Sequence, residues 1–320
     1  MKTCSEPLAA ATGVDRLLPS DIRPHLDTRW LGRDLRCLDA VDSTNTVARD
    51  LARSGATNGT VVIAESQSQG RGRLGRGWVS PAYKNLYLSV VLRGELPMER
   101  LPQLSLLAGV ATCDAICEWH LATIKWPNDV LIDGRKVAGL LAETDSDRGE
   151  RFVILGIGIN LNAEQDDFAP ELWDKAGSLR MALGHPVDRA RVAGRLLTHL
   201  EQRCEEWRDQ GFASIAAAWR ERSDLIGREI VVQEPGGTVT GRAIDLDDDG
   251  ALRLRLASGA EHRVVAGDVT VVGGYPGVGC RGKIDGRPET EREIRNQKLE
   301  TESSGDRRET NDARRGTTRR

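Results

Sequence analysis

Four glycines and three arginines interleave in Gly70-Arg71-Gly72-Arg73-Leu74-Gly75-Arg76-Gly77. Glycine lets a backbone come close to a ligand. Successive exposed N–H groups make a concavity for anions, and guanidinium forks match phosphate and carboxylate. A segment of this composition is suited to wrap something anionic. Gly70-x-Gly72-x-x-Gly75 also fits the dinucleotide-binding spacing, but that spacing has meaning only between a strand and a helix. Here the strand-like run Val61–Ala64 leads through the loop to Trp78-Val79-Ser80-Pro81 and then to a second strand-like run, Leu86–Leu92. A proline and a β-rich run do not open a helix. No Gly-Lys-Ser/Thr follows, so the Walker A phosphate loop is absent as well.

Four more polar segments accompany the loop: Asp42-Ser43-Thr44-Asn45, Lys125-Trp126-Pro127-Asn128-Asp129, Lys136–Glu143 and Gly156-Ile157-Gly158-Ile159-Asn160-Leu161-Asn162. Each falls at an end of an expected strand, where ligand sites of sheet-and-helix proteins form. Each also has a plainer explanation. Ser43 and Thr44 could cap a helix, Trp126-Pro127 could be a packed turn, and Lys136 a solvated strand end. Gly156 and Gly158 could serve only backbone packing. Their joint presence in this order is what carries weight.

The elements that must position these residues are legible from periodicity. Val47, Ala48, Leu51 and Ala52 recur at helical spacing within 44–53. A long Leu- and Ala-rich helix is expected over 101–121. Short strands are expected at 122–126 and 130–132, with Asp133-Gly134 as a hairpin turn, then at 136–143 and 152–159. A helical block spans about 188–222. Between 225 and 272 five short alternating runs, separated by Pro235-Gly236-Gly237, Asp248-Asp249-Gly250 and Ser258-Gly259, suggest a small barrel. The expected organisation is therefore an N-terminal extension (1–34), a larger domain (35–224), a small β domain (225–272) and a charged tail (273–320). The tail has too little apolar surface to order itself.

Composition narrows the function classes. The chain has 320 residues, 39% hydrophobic and 29% charged, with a formal net charge of −3. A general polyanion binder would be basic, so bulk charge does not argue for nucleic acid. No run of eighteen apolar residues marks a membrane span, and the N-terminus has no apolar secretory core. Six cysteines are scattered at 4, 37, 113, 117, 204 and 280. That pattern fits reduced thiols in a cytoplasmic protein and no cysteine metal site.

The five segments together resemble the biotin protein ligases, also called biotin–[acetyl-CoA-carboxylase] ligases. The likeness spans roughly 35–272 and rests on Asp42–Asn45, the loop from Glu65 to Pro81, Lys125–Asp129, Lys136–Glu143 and Gly156–Asn160. The resemblance implies an α+β fold, a mixed sheet with helices on one side followed by an SH3-like barrel. It implies an ATP-dependent ligase that makes biotinyl-5′-AMP and transfers biotin to a lysine of a biotin carboxyl carrier domain. It assigns Ser43, Thr44, Asn45, Gln67, Arg71, Gly72, Arg73 and Lys136 to biotin, with Lys136 and Arg73 as the catalytic cations. Arg76, Lys125, Asn128, Asp129 and Asn160 fall on the nucleotide side, and Asp129 is the expected Mg²⁺ contact. The expected partner is the carrier domain of acetyl-CoA carboxylase or a related carboxylase. Some family members add an N-terminal winged helix-turn-helix. The 34 residues before the larger domain are too few for one, so a monofunctional ligase without DNA binding is expected. A lipoate ligase, which shares the chemistry, is the nearest alternative; the loop and Lys-Trp-Pro-Asn-Asp argue against it.

Overall fold

Strong β-formers over 35–159 build one seven-stranded mixed sheet. In the computed structural model, which describes residues 15–94, 100–147 and 150–275, the strands are β1 (Leu35–Val41), β2 (Val61–Gln67), β3 (Leu86–Arg93), β4 (Thr123–Lys125), β5 (Asp129–Ile132), β6 (Arg135–Asp147) and β7 (Glu150–Ile159). Their order is β1-β2-β3-β7-β6-β5-β4. β1 and β2 run parallel, and every other neighbouring pair is antiparallel.

The sheet is apolar on both faces because both are covered. Val61, Ile63, Leu86, Leu88 and Val90 point into the main core, with α3 (Leu101–Ile116), the short α4 (Leu179–Leu183), α5 (Arg189–Gln210) and α6 (Phe212–Arg222). Val62, Val91, Phe152 and Ile154 point to the other face, where Ala48 and Ala52 of α2 (Thr44–Arg53) cover them. The expectation of helices on one side is thus corrected: alternation along β2 and β3 demands a helix on each face, and α2 supplies the second. The helical block expected over 188–222 is two helices, broken at Gly211, whose φ of 77° ends α5.

The segment read as an N-terminal extension contributes to this core. Leu17, Ile22 of the short α1 (Pro19–Ile22) and Leu31 are buried in it. The Leu17 N–H donates to Glu65 Oε1 at 2.5 Å, and the fully buried Arg189 donates to Glu65 Oε2 at 2.8 Å and to Asn85 O at 3.1 Å. One buried ion pair therefore ties the N-terminal segment, β2 and the start of α5 together. Residues 1–14 and the tail from 276 onward lie outside the described residues.

The second sheet is antiparallel throughout, in the order β11-β10-β9-β8-β12, from β8 (Glu229–Glu234), β9 (Gly237–Leu246), β10 (Leu252–Arg255), β11 (Glu261–Val264) and β12 (Asp268–Val271). Its turns fall at the three glycine-containing segments recognised in the sequence. All described residues belong to one compact unit.

Candidate active site

The glycine–arginine segment is a folded-back loop held by its own backbone. Trp78 N–H donates to Gly70 O at 2.8 Å, Gly72 N–H donates to Arg76 O at 2.7 Å, and Arg71 bridges Gly77 in antiparallel fashion. A Cβ on Gly70 would lie 2.4 Å from Trp78 O, so closure of the loop requires glycine there. At the tip, Leu74 sits at φ 56° with its side chain 76% exposed. The concave side of the loop, Gln69 to Gly77, faces Leu141 and Glu143 of β6 across a cavity of about 530 Å³.

Each arginine of the loop has a different anchor. Arg71 donates to Thr46 Oγ1 at 3.1 Å and stands 3.7 Å from Glu143. Arg73 reaches Asn128 Oδ1 at 3.4 Å and Gly267 O at 3.3 Å. Burial pulls its guanidinium pKa below the ordinary value, against the opposing pull of Asp268 and Asp129. Arg76 makes a forked pair with Asp268 at 2.8 and 2.7 Å. The loop thus spans from α2 to the start of β12 in the second sheet.

Lys136 stands at the start of β6. Its ammonium is 2.6 Å from Asp129 Oδ1 and 5.3 Å above the Trp78 ring. The indole rests on a floor of two glycines, Gly139 and Gly158, which face each other in register across β6 and β7. A Cβ on either would lie 2.8 or 2.7 Å from the ring. Strand-interior glycines mark such close approaches. The Trp78 Nε1 is buried without a hydrogen-bond partner. Lys125 is half-buried, and burial lowers its pKa, with Asp129 opposing. A partly desolvated cation facing a second cation, Lys136, suits an anionic ligand.

The residues expected on the biotin side cluster at the head of α2. Ser43, Thr44 and Asn45 are buried. Gln67 Oε1 accepts from Thr44 N–H at 2.9 Å, and Asn45 Nδ2 donates to Glu143 Oε2 at 2.6 Å. Asn128 and Asn160 make internal bonds: their amides donate to Leu140 O at 2.8 Å and Gly177 O at 3.0 Å. They brace the strand ends rather than line the cavity. Arg71, Gly72, Arg73 and Arg76 do line it. The sequence assigns no role to Trp78, Gly139, Glu143, Ser89 or Asp268; the first three lie inside the segments that carry the family resemblance, whereas Ser89 and Asp268 lie outside all five.

Two family models match the chain: the "Biotin/lipoate A/B protein ligase family" over residues 37–160 and the "Biotin protein ligase C terminal domain" over residues 225–272. The biotin–[acetyl-CoA-carboxylase] ligase of Mycobacterium tuberculosis is 40% identical over 266 residues, covering 78% of this chain and 96% of that protein. The bifunctional ligase/repressor BirA of Bacillus subtilis is 38% identical over 257 residues, 79% of each. Among solved structures, the Aquifex aeolicus biotin protein ligase in complex with biotin and ATP superposes with a TM-score of 0.65 at 29% identity, covering 75% of this chain and 98% of that one. The loop, the glycine floor and both sheets fall within these matches, and the chain belongs to the biotin protein ligase family.

Proposed function

We propose that the protein activates biotin with ATP as biotinyl-5′-AMP and passes the biotinyl group to a carrier lysine. The observation that carries this reading is a cavity walled by three guanidiniums, with Lys136 stacked on Trp78 at the end of the same loop and the half-buried Lys125 paired across the strands with Asp129. Such a wall suits a reaction in which two anions must meet. A carboxylate oxygen of biotin attacks the α-phosphorus of ATP, and pyrophosphate leaves. The neutral lysine amine of the carrier then attacks the acyl carbon, and AMP leaves. Both steps depend on positioning and on offsetting like charge.

In this reading Ser43, Thr44, Asn45 and Gln67 take the ureido ring. Arg71, Gly72 and Arg73 wrap the carboxylate and α-phosphate, and Lys136 stands where the two converge. Arg76, Lys125 and Asp129 face the nucleotide, with Asn128 and Asn160 bracing that side. Among the described residues no group of three or more metal-ligating side chains occurs. Mg²⁺ characteristically takes one or two carboxylates plus substrate phosphates. That donor set fits an ion arriving with ATP, with Asp129 as its protein carboxylate, and the ion would offset phosphate charge. The carrier is that of acetyl-CoA carboxylase or a related carboxylase, the substrate in the name of the Mycobacterium tuberculosis relative. The reading places the enzyme in the cytoplasm, and no helix among the described residues is long and apolar enough to cross a membrane. It includes no sequence-specific DNA binding, since the net charge of −3 gives no cationic footprint.

The test is ATP–pyrophosphate exchange, run separately with biotin and with lipoate. Exchange that depends on biotin and not on lipoate is expected. Exchange supported by lipoate alone would refute the substrate assignment.

A further inference from the structure

Two strongly exposed apolar side chains flank one hydrogen bond at the mouth of the cavity. Arg73 donates to Gly267 O at 3.3 Å, in the connection between β11 and β12. The next residue on the loop, Leu74, is 76% exposed where the cavity opens. Two residues before Gly267, Val265 is 56% exposed. Ala266, between them, is exposed as well. Single apolar residues scattered over a surface are ordinary. Apolar side chains gathered at the rim of a polar cavity mark a contact surface.

Neither side chain is there through slack in the chain. Leu74 has a φ of 56°, in the left-handed region, which a leucine keeps only where its surroundings enforce it. The enforcement comes from both sides. Arg73 bonds Asn128 and Gly267, and Arg76 holds Asp268 in its forked pair. On the facing turn Val264 ends β11 with its side chain buried, so its neighbour Val265 falls on the opposite, open side. That turn closes tightly at Gly267, where a Cβ would lie 2.7 Å from Val232 Cγ1 and 2.9 Å from Gln233 O. Both side chains are thus presented by braced backbone.

The reaction says what must come to this rim. In the proposed transfer the acyl carbon lies between Arg71 and Arg73. A lysine's stem carries its amine only about 6 Å beyond the backbone. The carrier's lysine-bearing turn must therefore descend to the rim, where Leu74, Val265 and Ala266 stand. We propose that these residues form the docking surface for that turn and grip an apolar side chain beside the target lysine. Leu74 then selects the carrier without touching biotin or ATP. The proposal rests on the reading of the protein as a ligase that passes biotin to a carrier.

The experiment uses the full chain and three readouts: biotin-dependent pyrophosphate exchange, capture of the adenylate by hydroxylamine, and transfer to the apo carrier domain of an acetyl-CoA carboxylase. Hydroxylamine nitrogen attacks the same acyl carbon, AMP leaves and a hydroxamate forms, but so small a nucleophile has no use for a docking surface. Leu74→Ser and Val265→Ser are each expected to raise the KM for the carrier about fivefold or more, through lost apolar contact. The kcat of transfer, the exchange rate and hydroxamate formation should stay within about twofold of wild type, because docking is separate from chemistry. Leu74→Met keeps the apolar area and should restore the carrier KM. An unchanged carrier KM in either serine variant overturns the proposal. So does a fall in exchange or hydroxamate that matches the fall in carrier transfer, since the residue would then act on the bound ligand. Failure of the wild type to exchange pyrophosphate with biotin would instead remove the ligase reading beneath it.

Discussion

A residue's worth in this site depends on what its charge faces. Lys136 is paired to Asp129 and stacked on Trp78, so its ammonium is held in place before any substrate binds. Lys136→Ala should chiefly lose adenylate formation, by about 10²–10³ in rate, the usual loss for one well-placed electrostatic donor. Pyrophosphate exchange at near wild-type rate in that variant would remove Lys136 from the chemistry. Lys125 makes a separate, pH-dependent prediction. Burial lowers its pKa in the free protein, whereas bound phosphate favours the charged form. ATP binding should therefore weaken as pH rises through the lowered value, below the range in which an ordinary lysine titrates. The KM for ATP, measured against pH, should lose that rise in Lys125→Arg, because arginine stays charged. A rise that persists unchanged in the arginine variant would assign it to another group.

Elements, rather than single side chains, make the glycine floor. β6 and β7 must pair in register for Gly139 and Gly158 to lie side by side beneath Trp78. Gly158→Ala puts a methyl 2.7 Å from the indole in an otherwise intact strand, so the ring must lift. The expected outcome is a KM for biotin raised about tenfold or more, with a melting temperature close to wild type and altered Trp78 fluorescence. An unaltered KM would show that the floor does not set the position of the ring. Much of this scale was legible in the sequence. The alternation around Val61–Ala64 and Leu86–Leu92, the Asp133-Gly134 turn and the five short strands after 225 follow from period and turn chemistry alone. The arginine loop stood out by composition. The contacts that Ser89 and Glu143 make with Asn45 did not, because Ser89 sits mid-strand in an apolar run and Glu143 ends one. Their partners lie 44 and 98 residues away. Nor could period alone place α2 on the opposite face, since an amphipathic helix is silent about which side of a sheet it covers.

At the scale of the whole molecule, the loop is stapled to a different sheet from the one that carries it. Arg76 pairs with Asp268, and Arg73 bonds Gly267 O, both at the start of β12. The Arg76 pair is largely exposed, so its contribution to global stability is small, about 0–1 kcal/mol. Its effect should fall on the loop instead. Asp268→Ala is expected to leave the melting temperature within a few degrees of wild type. The same variant should hold biotinyl-5′-AMP less tightly, releasing the reactive anhydride faster and labelling more lysines on a bystander protein such as albumin. Labelling no greater than wild type would show that the loop holds its ligand without the staple.

The staple also sets a schedule for synthesis. Arg73 and its carbonyl partner are 194 positions apart in the chain. At translation speeds of about 5–20 residues per second, the second half of the clasp leaves the ribosome roughly 10–40 s after the first. Through that interval a nascent ligase carries its arginine loop without a catch. The strands of the second sheet, rather than those bearing the reactive side chains, then decide when a newly synthesised molecule can keep hold of what it activates.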